Sequence, residues 1–220
     1  MNVIFYDKYR KAHSYHLPKA FDEGSNGTIH RIDKETCLKW FNDDNQDTQT
    51  IIEMIMNLEL NNFYKIYNLL YDESNTFCGY TMKYYENEEF DILTMPMEYT
   101  ITNLMDLAKS LNILSENKIC AVDLFDGNII KTKKCITVID VDAYKYLPKA
   151  ENGMIYNYNN ESLYYLLGEI FLKALKTYHN SEYLDKINIK EIFDMQLSPD
   201  ETCKKLVKYK YPIDYIRSKR

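Results

Sequence analysis

Asp123 and Asn128 stand in the stretch AVDLFDGNII, and Asp140 and Asp142 close the stretch CITVIDVD. A carboxylate and an amide oxygen side by side are hard oxygen ligands suited to Mg2+. A second carboxylate beside that pair can orient an attacking hydroxyl or take its proton. The apolar pair Ile129–Ile130 reads as entry into a short strand, and CITVIDVD as its return after a lysine-rich turn. A hairpin sets the mouth of its first strand beside the end of its second. Asn128 and Asp140 are therefore expected as neighbours, with Asp123 on the loop next to them. The plainer reading is a turn, since Asp126 and Gly127 are common turn formers. Towards the other end of the chain, DEGSNGTI puts Gly24 and Gly27 in a tight turn between strands. Glycines there let backbone N–H groups come close to phosphates. Lys39 sits in the apolar run CLKWF, where an inward lysine needs an anion, and Glu53 on the following helix can hold it by an ion pair.

The elements that must carry these residues follow from periodicity. GTIHRID and TCLKWF are β-prone runs within a hairpin region over 15–41. Residues 46–61 read as a helix with Ile51, Ile55 and Leu58 on one face. FYKIYNLLYDESNTFCGYTMKYY gives two strands around the turn DESN. Residues 1–85 thus form a mostly β part carrying one helix. The chain divides near 84–91, where YYENEEFD loses apolar content. Residues 86–220 are mainly helical. Ile101, Leu104, Met105, Ala108 and Leu111 make one apolar stripe, and Leu163, Leu166, Leu167, Ile170, Phe171 and Ala174 another. Helices over 181–195 and 199–209 complete the chain.

Composition narrows the classes. The 220 residues are 45% hydrophobic and 27% charged, so a folded chain is expected. The 27 basic and 33 acidic side chains leave a net charge of −6, which argues against duplex nucleic acid as a partner. The basic stretch CKKLVKYKYPIDYIRSKR reads as a solvated helix face and tail. Five cysteines at 37, 78, 120, 135 and 203 form no C-x-x-C pair, which argues for a reducing compartment and against a zinc site. His13, His16, His30 and His179 have no metal-ligand spacing. MNVIFYDKYRKAH lacks the apolar core of a signal peptide, and no run reaches transmembrane length. A cytoplasmic protein without a membrane partner is expected. Asp140, Asp142 and Glu151 only faintly imitate a calcium loop, because Tyr144 and Lys145 fall where it wants an oxygen ligand and a glycine.

In this order, the glycine turn, strand lysine, helix glutamate, D-L-x-x-x-N loop and post-strand aspartate resemble the protein-kinase-like superfamily. The resemblance covers roughly residues 15–175. It implies an α+β, two-lobed fold, with a β-rich lobe over 1–85 and a mainly helical lobe over 86–220. It implies ATP and Mg2+ as cofactors. Gly24, Ser25, Asn26, Gly27, Ile29 and Lys39 would hold the nucleotide, and Asn128 and Asp140 the metal. Asp123, Lys39 and Glu53 would be catalytic, with Glu59 as the other candidate for the lysine's partner. The chain departs from the family pattern in several places. Asp22 replaces the first glycine of the loop, Ala121-Val122 precede Asp123 where the family has His-Arg, and Val141-Asp142 replace Phe-Gly. No A-P-E motif is visible, and about twenty residues separate Asp142 from the helix SLYYLLGEIF. Control by activation-loop phosphorylation is not expected. The leading expectation is a minimal kinase acting on protein hydroxyls of Ser or Thr, its own included. The alternatives are a nucleotide-binding pseudokinase scaffold and a small-molecule kinase of the aminoglycoside or choline type.

Overall fold

The computed structural model describes residues 2–24, 26–42, 46–86, 97–132 and 135–178. The helices expected over 181–195 and 199–209, His179 and Cys203 lie outside the described residues. The chain divides into two compact units. One comprises residues 1–58 and 64–86, and the other residues 59–63 and 87–220.

The first unit is built on a seven-stranded antiparallel sheet. Its strands are β1 (Asn2–Tyr6), β2 (Ala12–His16), β3 (Asp22–Gly24), β4 (Gly27–Arg31), β5 (Thr36–Phe41), β6 (Ile66–Tyr71) and β7 (Phe77–Lys83), in the order β2-β1-β6-β7-β5-β4-β3. Helix α1 (Gln46–Met56) connects β5 to β6. The turn expected at DESN forms, with Asn75 in the left-handed region (φ 67°) and the Asp72 carboxylate accepting from the Thr76 N–H at 2.8 Å.

Alternation along β5 sends Leu38 and Trp40 to one face of the sheet and Cys37, Lys39 and Phe41 to the other. The first face is closed by the β1–β2 hairpin, whose Phe5 joins Leu17, Leu38 and Leu70 in a buried cluster. The Phe5 ring meets Trp40 edge-on at 5.6 Å. In the sheet β1 lies three strands from β5, at about 4.8 Å per strand, so the sheet must curl back on itself to bring the rings together. Strand β1 formed no part of the sequence expectation. Its signal is the alternation of buried Phe5 with Ile4, which is 54% exposed.

Helix α1 ends at Met56 rather than at residue 61. Its last turn tightens, with Asn57 N–H to Met54 O at 3.0 Å and Leu58 N–H to Ile55 O at 3.2 Å. The Asn57 side chain donates to the Glu53 carbonyl at 2.7 Å, which satisfies a carbonyl that the ended helix would leave open. Glu59 is therefore off the helix and belongs to the second unit, as do residues 60–63.

The second unit contains α2 (Met97–Glu116), β8 (Ile119–Cys120), β9 (Ile129–Lys131), β10 (Ile136–Val138), β11 (Lys145–Tyr146) and α3 (Asn152–Tyr178). Leu104, Leu107, Ala108, Leu111 and Leu114 of α2 are buried, as are Ile155, Leu163 and Leu166 of α3. Helix α3 begins well before the apolar stripe that announced it, so only residues 143–151 separate Asp142 from it, and not about twenty. Strands β9 and β10 form the expected hairpin, with Val138 opposite Ile129 and Ile136 opposite Lys131. Lys133 and Lys134 of its turn lie outside the described residues. Strand β8 pairs with β11, Cys120 opposite Lys145.

Candidate functional site

In the first unit the strand register builds a row across three strands. Lys39 stands opposite Ile29 of β4 on one side and Tyr80 of β7 on the other. Directly opposed residues of an antiparallel pair share a face, so Ile29 and Lys39 project from the same side of the sheet. Lys39 is 5% exposed, and its Nζ lies 5.8 Å from the centre of the Phe41 ring. That ring continues into an aromatic row: Phe41 meets Tyr80 at 5.8 Å and Phe77 at 5.5 Å, and Phe77 meets Tyr71 at 6.1 Å. Glu53 reaches the far end of this row. Its carboxylate accepts from Gln49 Nε2 at 3.0 Å, and the same Gln49 nitrogen lies 3.2 Å from the Tyr71 hydroxyl. Burial pushes the Tyr71 pKa up, and the nearby Glu53 charge adds to the rise. Glu53 is thus engaged by Gln49 and lies beside Tyr71.

The two glycines of the turn serve different ends. Gly24 and Gly27 face one another across the β3–β4 hairpin. A side chain on Gly27 would collide with the Trp40 carbonyl of β5, whereas Gly24 has open space around it. Gly27 is thus explained by close strand packing, and Gly24 leaves room for a ligand. Gly79 of β7 was missed in the sequence. It presses on the lysine strand from the other side, since a Cβ there would strike the Lys39 carbonyl. Ser25 lies outside the described residues. The Asn26 carbonyl accepts from the Asn42 N–H at 3.2 Å.

In the second unit the β9–β10 hairpin sets the Asn128 backbone beside Ile139, and the Asn128 side chain bonds to Asp123. A 3-10 turn, Asp126–Asn128, leads into β9. The Asn128 carbonyl accepts from the Ile139 N–H at 2.9 Å, which sets Asn128 beside the residue before Asp140. The Asn128 side chain turns the other way, and Nδ2 donates to the Asp123 carbonyl at 3.0 Å. With the amide nitrogen so used, Oδ1 is the atom left to act as a ligand. Asp123 and Asp140 are both exposed. Both also lie in the left-handed region, φ 62° and 57°, the only aspartates among the described residues to do so. That conformation is uncommon outside glycine, although Asp and Asn tolerate it best.

Two buried asparagines fix these loops. Asn159 of α3 is fully buried. Its Oδ1 accepts from the Ala121 N–H at 2.7 Å, and its Nδ2 donates to Ser115 Oγ at 2.8 Å and to the Ile119 carbonyl at 2.9 Å. The strand end that delivers Asp123 is thereby tied to both α2 and α3. Asn103 of α2 does the same for β10: its Oδ1 accepts from Ile136 N–H at 3.1 Å and from Asn62 Nδ2 at 2.7 Å. Asn62 also receives the Val138 N–H on its carbonyl at 2.6 Å. Sequence reading missed both asparagines. Each occupies a position in a helix's buried stripe, Asn103 before Leu107 and Leu111, Asn159 after Ile155 and before Leu163. A polar residue in such a stripe is the signal that could have found them.

Asp123 and Asp140 also act on a common neighbour. Tyr144 is 4% exposed, and its hydroxyl is buried with no hydrogen-bond partner among the described residues. Burial drives the Tyr144 pKa far up, and the charges of Asp140 and then Asp123 drive it further. Tyr158, on α3, is raised by burial and then by neighbours that include Asp123. Burial pushes the Cys37 thiol up to about 11 and the Cys78 thiol up to about 12, which disfavours either as a nucleophile.

Among the described residues, no group of three or more His, Cys, Asp or Glu side chains is arranged to hold a metal. Mg2+ that arrives with a polyphosphate needs only one or two protein oxygens, because phosphates and water supply the rest. Asn128 Oδ1 and the Asp140 carboxylate are oxygen donors of the kind such an ion takes. No helix of the described residues is long and apolar enough to cross a membrane. No protein-family model matches the chain, and no curated protein matches it either.

Proposed function

We propose that this chain is an ATP-dependent phosphotransferase of the protein-kinase-like kind, moving the γ-phosphoryl group of ATP to a hydroxyl on a protein. The observation that carries the reading is the convergence of Asp123, Asn128 and the segment before Asp140 at one end of the β9–β10 hairpin, with Asn128 Oδ1 left as an acceptor. The first unit supports it: Lys39 is a buried cation in a central strand, with Ile29 in the same row and the glycine hairpin on the next strands.

The residues take the following parts. Lys39, the 24–27 turn and Ile29 hold the nucleotide. Asn128 and Asp140 hold Mg2+, which when bound offsets the negative charge of the phosphates. Asp123 orients the acceptor hydroxyl. As the hydroxyl oxygen bonds to the γ-phosphorus, the bond from that phosphorus to the β–γ bridging oxygen breaks. ADP leaves, and the hydroxyl proton passes to the Asp123 carboxylate. With only residues 143–151 between Asp142 and α3, activity does not depend on phosphorylation of that segment. The scattered cysteines, none in a C-x-x-C pair, favour a reducing compartment such as the cytoplasm.

A second reading, a nucleotide-binding pseudokinase, draws on two observations. Ala121-Val122 precede Asp123, and Glu53 is engaged by Gln49 and Tyr71. Incubation with γ-labelled ATP and Mg2+ separates the readings. Label on the chain itself or on a generic protein supports the kinase. Binding of ATP without transfer supports the pseudokinase, and label only on an added aminoglycoside or choline supports a small-molecule kinase. No binding at millimolar Mg2+–ATP removes all three.

A further inference from the structure

A single exposed aromatic side chain is ordinary on a protein surface. Phe125 differs in where it stands and in how its ring is seated. It is 38% exposed and lies between buried Leu124 and the 3-10 turn that leads to Asn128. Its backbone is extended (φ −140°, ψ 171°), and its carbonyl accepts from the Asn128 N–H at 3.0 Å. The Asn128 side chain bonds to the Asp123 carbonyl, also at 3.0 Å. One asparagine thus fixes the backbone at both Asp123 and Phe125, two exposed residues on either side of a buried leucine. The ring itself rests on a glycine. A Cβ on Gly127 would collide with Cε2 of the Phe125 ring and crowd Cδ2 and Cζ. No glycine among the described residues has a positive φ, so backbone conformation does not call for glycine at 127. What the missing side chain admits is the ring.

We propose that Phe125 is a specificity-determining residue of the transfer reaction, its ring receiving an apolar side chain next to the acceptor Ser or Thr of a protein. The inference rests on the phosphotransferase reading above, in which Asp123 orients the acceptor hydroxyl, and adds to it the sequence class of the acceptor. An aromatic ring already held against the backbone loses little freedom when a partner covers it, so it offers apolar contact at low entropic cost. Contact made beside the hydroxyl also helps to hold that hydroxyl in line for transfer.

The test is phosphate transfer by the full chain, with γ-labelled ATP and Mg2+, to Ser/Thr peptides in which each flanking position is varied in turn. Wild type should prefer Leu or Phe over Asp or Gly at one flanking position by about 10-fold in kcat/KM. Phe125→Ala should lose that preference through a higher KM for the preferred peptide, with the KM for ATP unchanged, and Phe125→Leu should keep most of it. Gly127→Ala should lose it too, because the ring is still present but displaced from its seat. The group it displaces is a side chain that can yield, so its melting temperature should stay close to that of wild type. A merely structural phenylalanine would leave the peptide preference of Phe125→Ala as in wild type, and that result overturns the proposal. Label on the chain itself should sit at a Ser or Thr with an apolar residue within two positions, and a site with only polar neighbours also overturns it. If wild type transfers phosphate to no protein or peptide, the phosphotransferase reading and this contact fall together. If it labels peptides with no apolar preference at any position, only the contact falls.

Discussion

The two units hold their charged residues by opposite means. Lys39 is buried in the middle of a sheet, and its position follows from register: Ile29 on one side, Tyr80 on the other, and glycines 27 and 79 pressing on its strand. Asp123 and Asp140 are exposed, each at a left-handed residue after a short strand. No ladder holds them, so buried asparagine side chains tie down the segments that deliver them. A strand positions a side chain through many backbone bonds of modest individual worth. A loop depends on a few side-chain bonds, each of which matters more. The sheet side should therefore be sensitive to added volume, and the loop side to lost hydrogen bonds.

The largest expected effect is chemical. Asp123→Asn keeps size and polarity and removes the carboxylate, so phosphate transfer should fall by about 10²-fold or more while Mg2+–ATP still binds. Lys39→Ala should lose transfer together with nucleotide affinity, because the lysine would act on the phosphates themselves. Paired measurements of affinity and transfer on both variants check the contrast. Equal transfer by wild type and Asp123→Asn would reduce DLFDGN to a turn. Full activity in Lys39→Ala would remove the sheet from the mechanism.

Next come the loop anchors. Asn159→Ala leaves the Ala121 N–H without its side-chain acceptor and the Ile119 carbonyl without its side-chain donor, while Ser115 Oγ keeps its bond to the Leu111 carbonyl. A stability loss of about 3 kcal/mol is expected, read from urea unfolding. If the loss stays below about 1 kcal/mol, the asparagine is not the anchor its geometry indicates.

On the sheet side, Gly79→Ala should cost about 1–3 kcal/mol through collision with the Lys39 carbonyl. Gly24→Ala, in open space, should cost much less. Similar losses in the two variants would mean that strand packing does not distinguish these glycines.

These anchors also mark where sequence reading succeeded and where it stopped. Strands β4 to β7 and the β9–β10 hairpin were legible because β-branched and aromatic runs alternate between turn formers. The neighbourhood of Asn128 and Asp140 was legible because a hairpin has only one way to close. Helix α1 was read too long, since Leu58 continued its stripe while the side chain of Asn57 closed the helix. Helix α3 was read too short, since its first turns carry the buried polar residues Asn159 and Asn160 where a stripe should be apolar. Asn159 and Asn103 escaped notice for the same reason: their partners are backbone groups brought near only by the fold. Gly79 escaped because what it avoids is a carbonyl on another strand.

The smallest effect belongs to the edge of the first unit and serves as a control. The Asp7 carboxylate lies 3.0 Å from His13 Nε2 across the β1–β2 hairpin, and it accepts from the Tyr9 and Lys11 N–H groups at 2.9 and 3.0 Å. These bonds, that from His13 first, hold the Asp7 pKa below its ordinary value of 3.8. A depressed carboxylate contributes stability that is fully present above its unfolded pKa and is lost as pH falls through the folded one. The hairpin should therefore keep its protection at neutral pH and lose some of it below about pH 4. Asp7 is half-buried at the edge of the sheet, so the effect is small and shrinks with added salt. Asp7→Asn should remove this acid-dependent component, seen as faster exchange of hairpin amides already at neutral pH and a flatter acid profile. Transfer activity should not change, because Asp7 sits in the β1–β2 hairpin, three strands from the lysine strand β5. An Asp7→Asn protein with the wild-type acid profile would show that the His13 contact carries no stability. One with impaired transfer would show that the hairpin's hold on Phe5 and Trp40 reaches the lysine strand, and the sheet would then be less rigid than its register suggests.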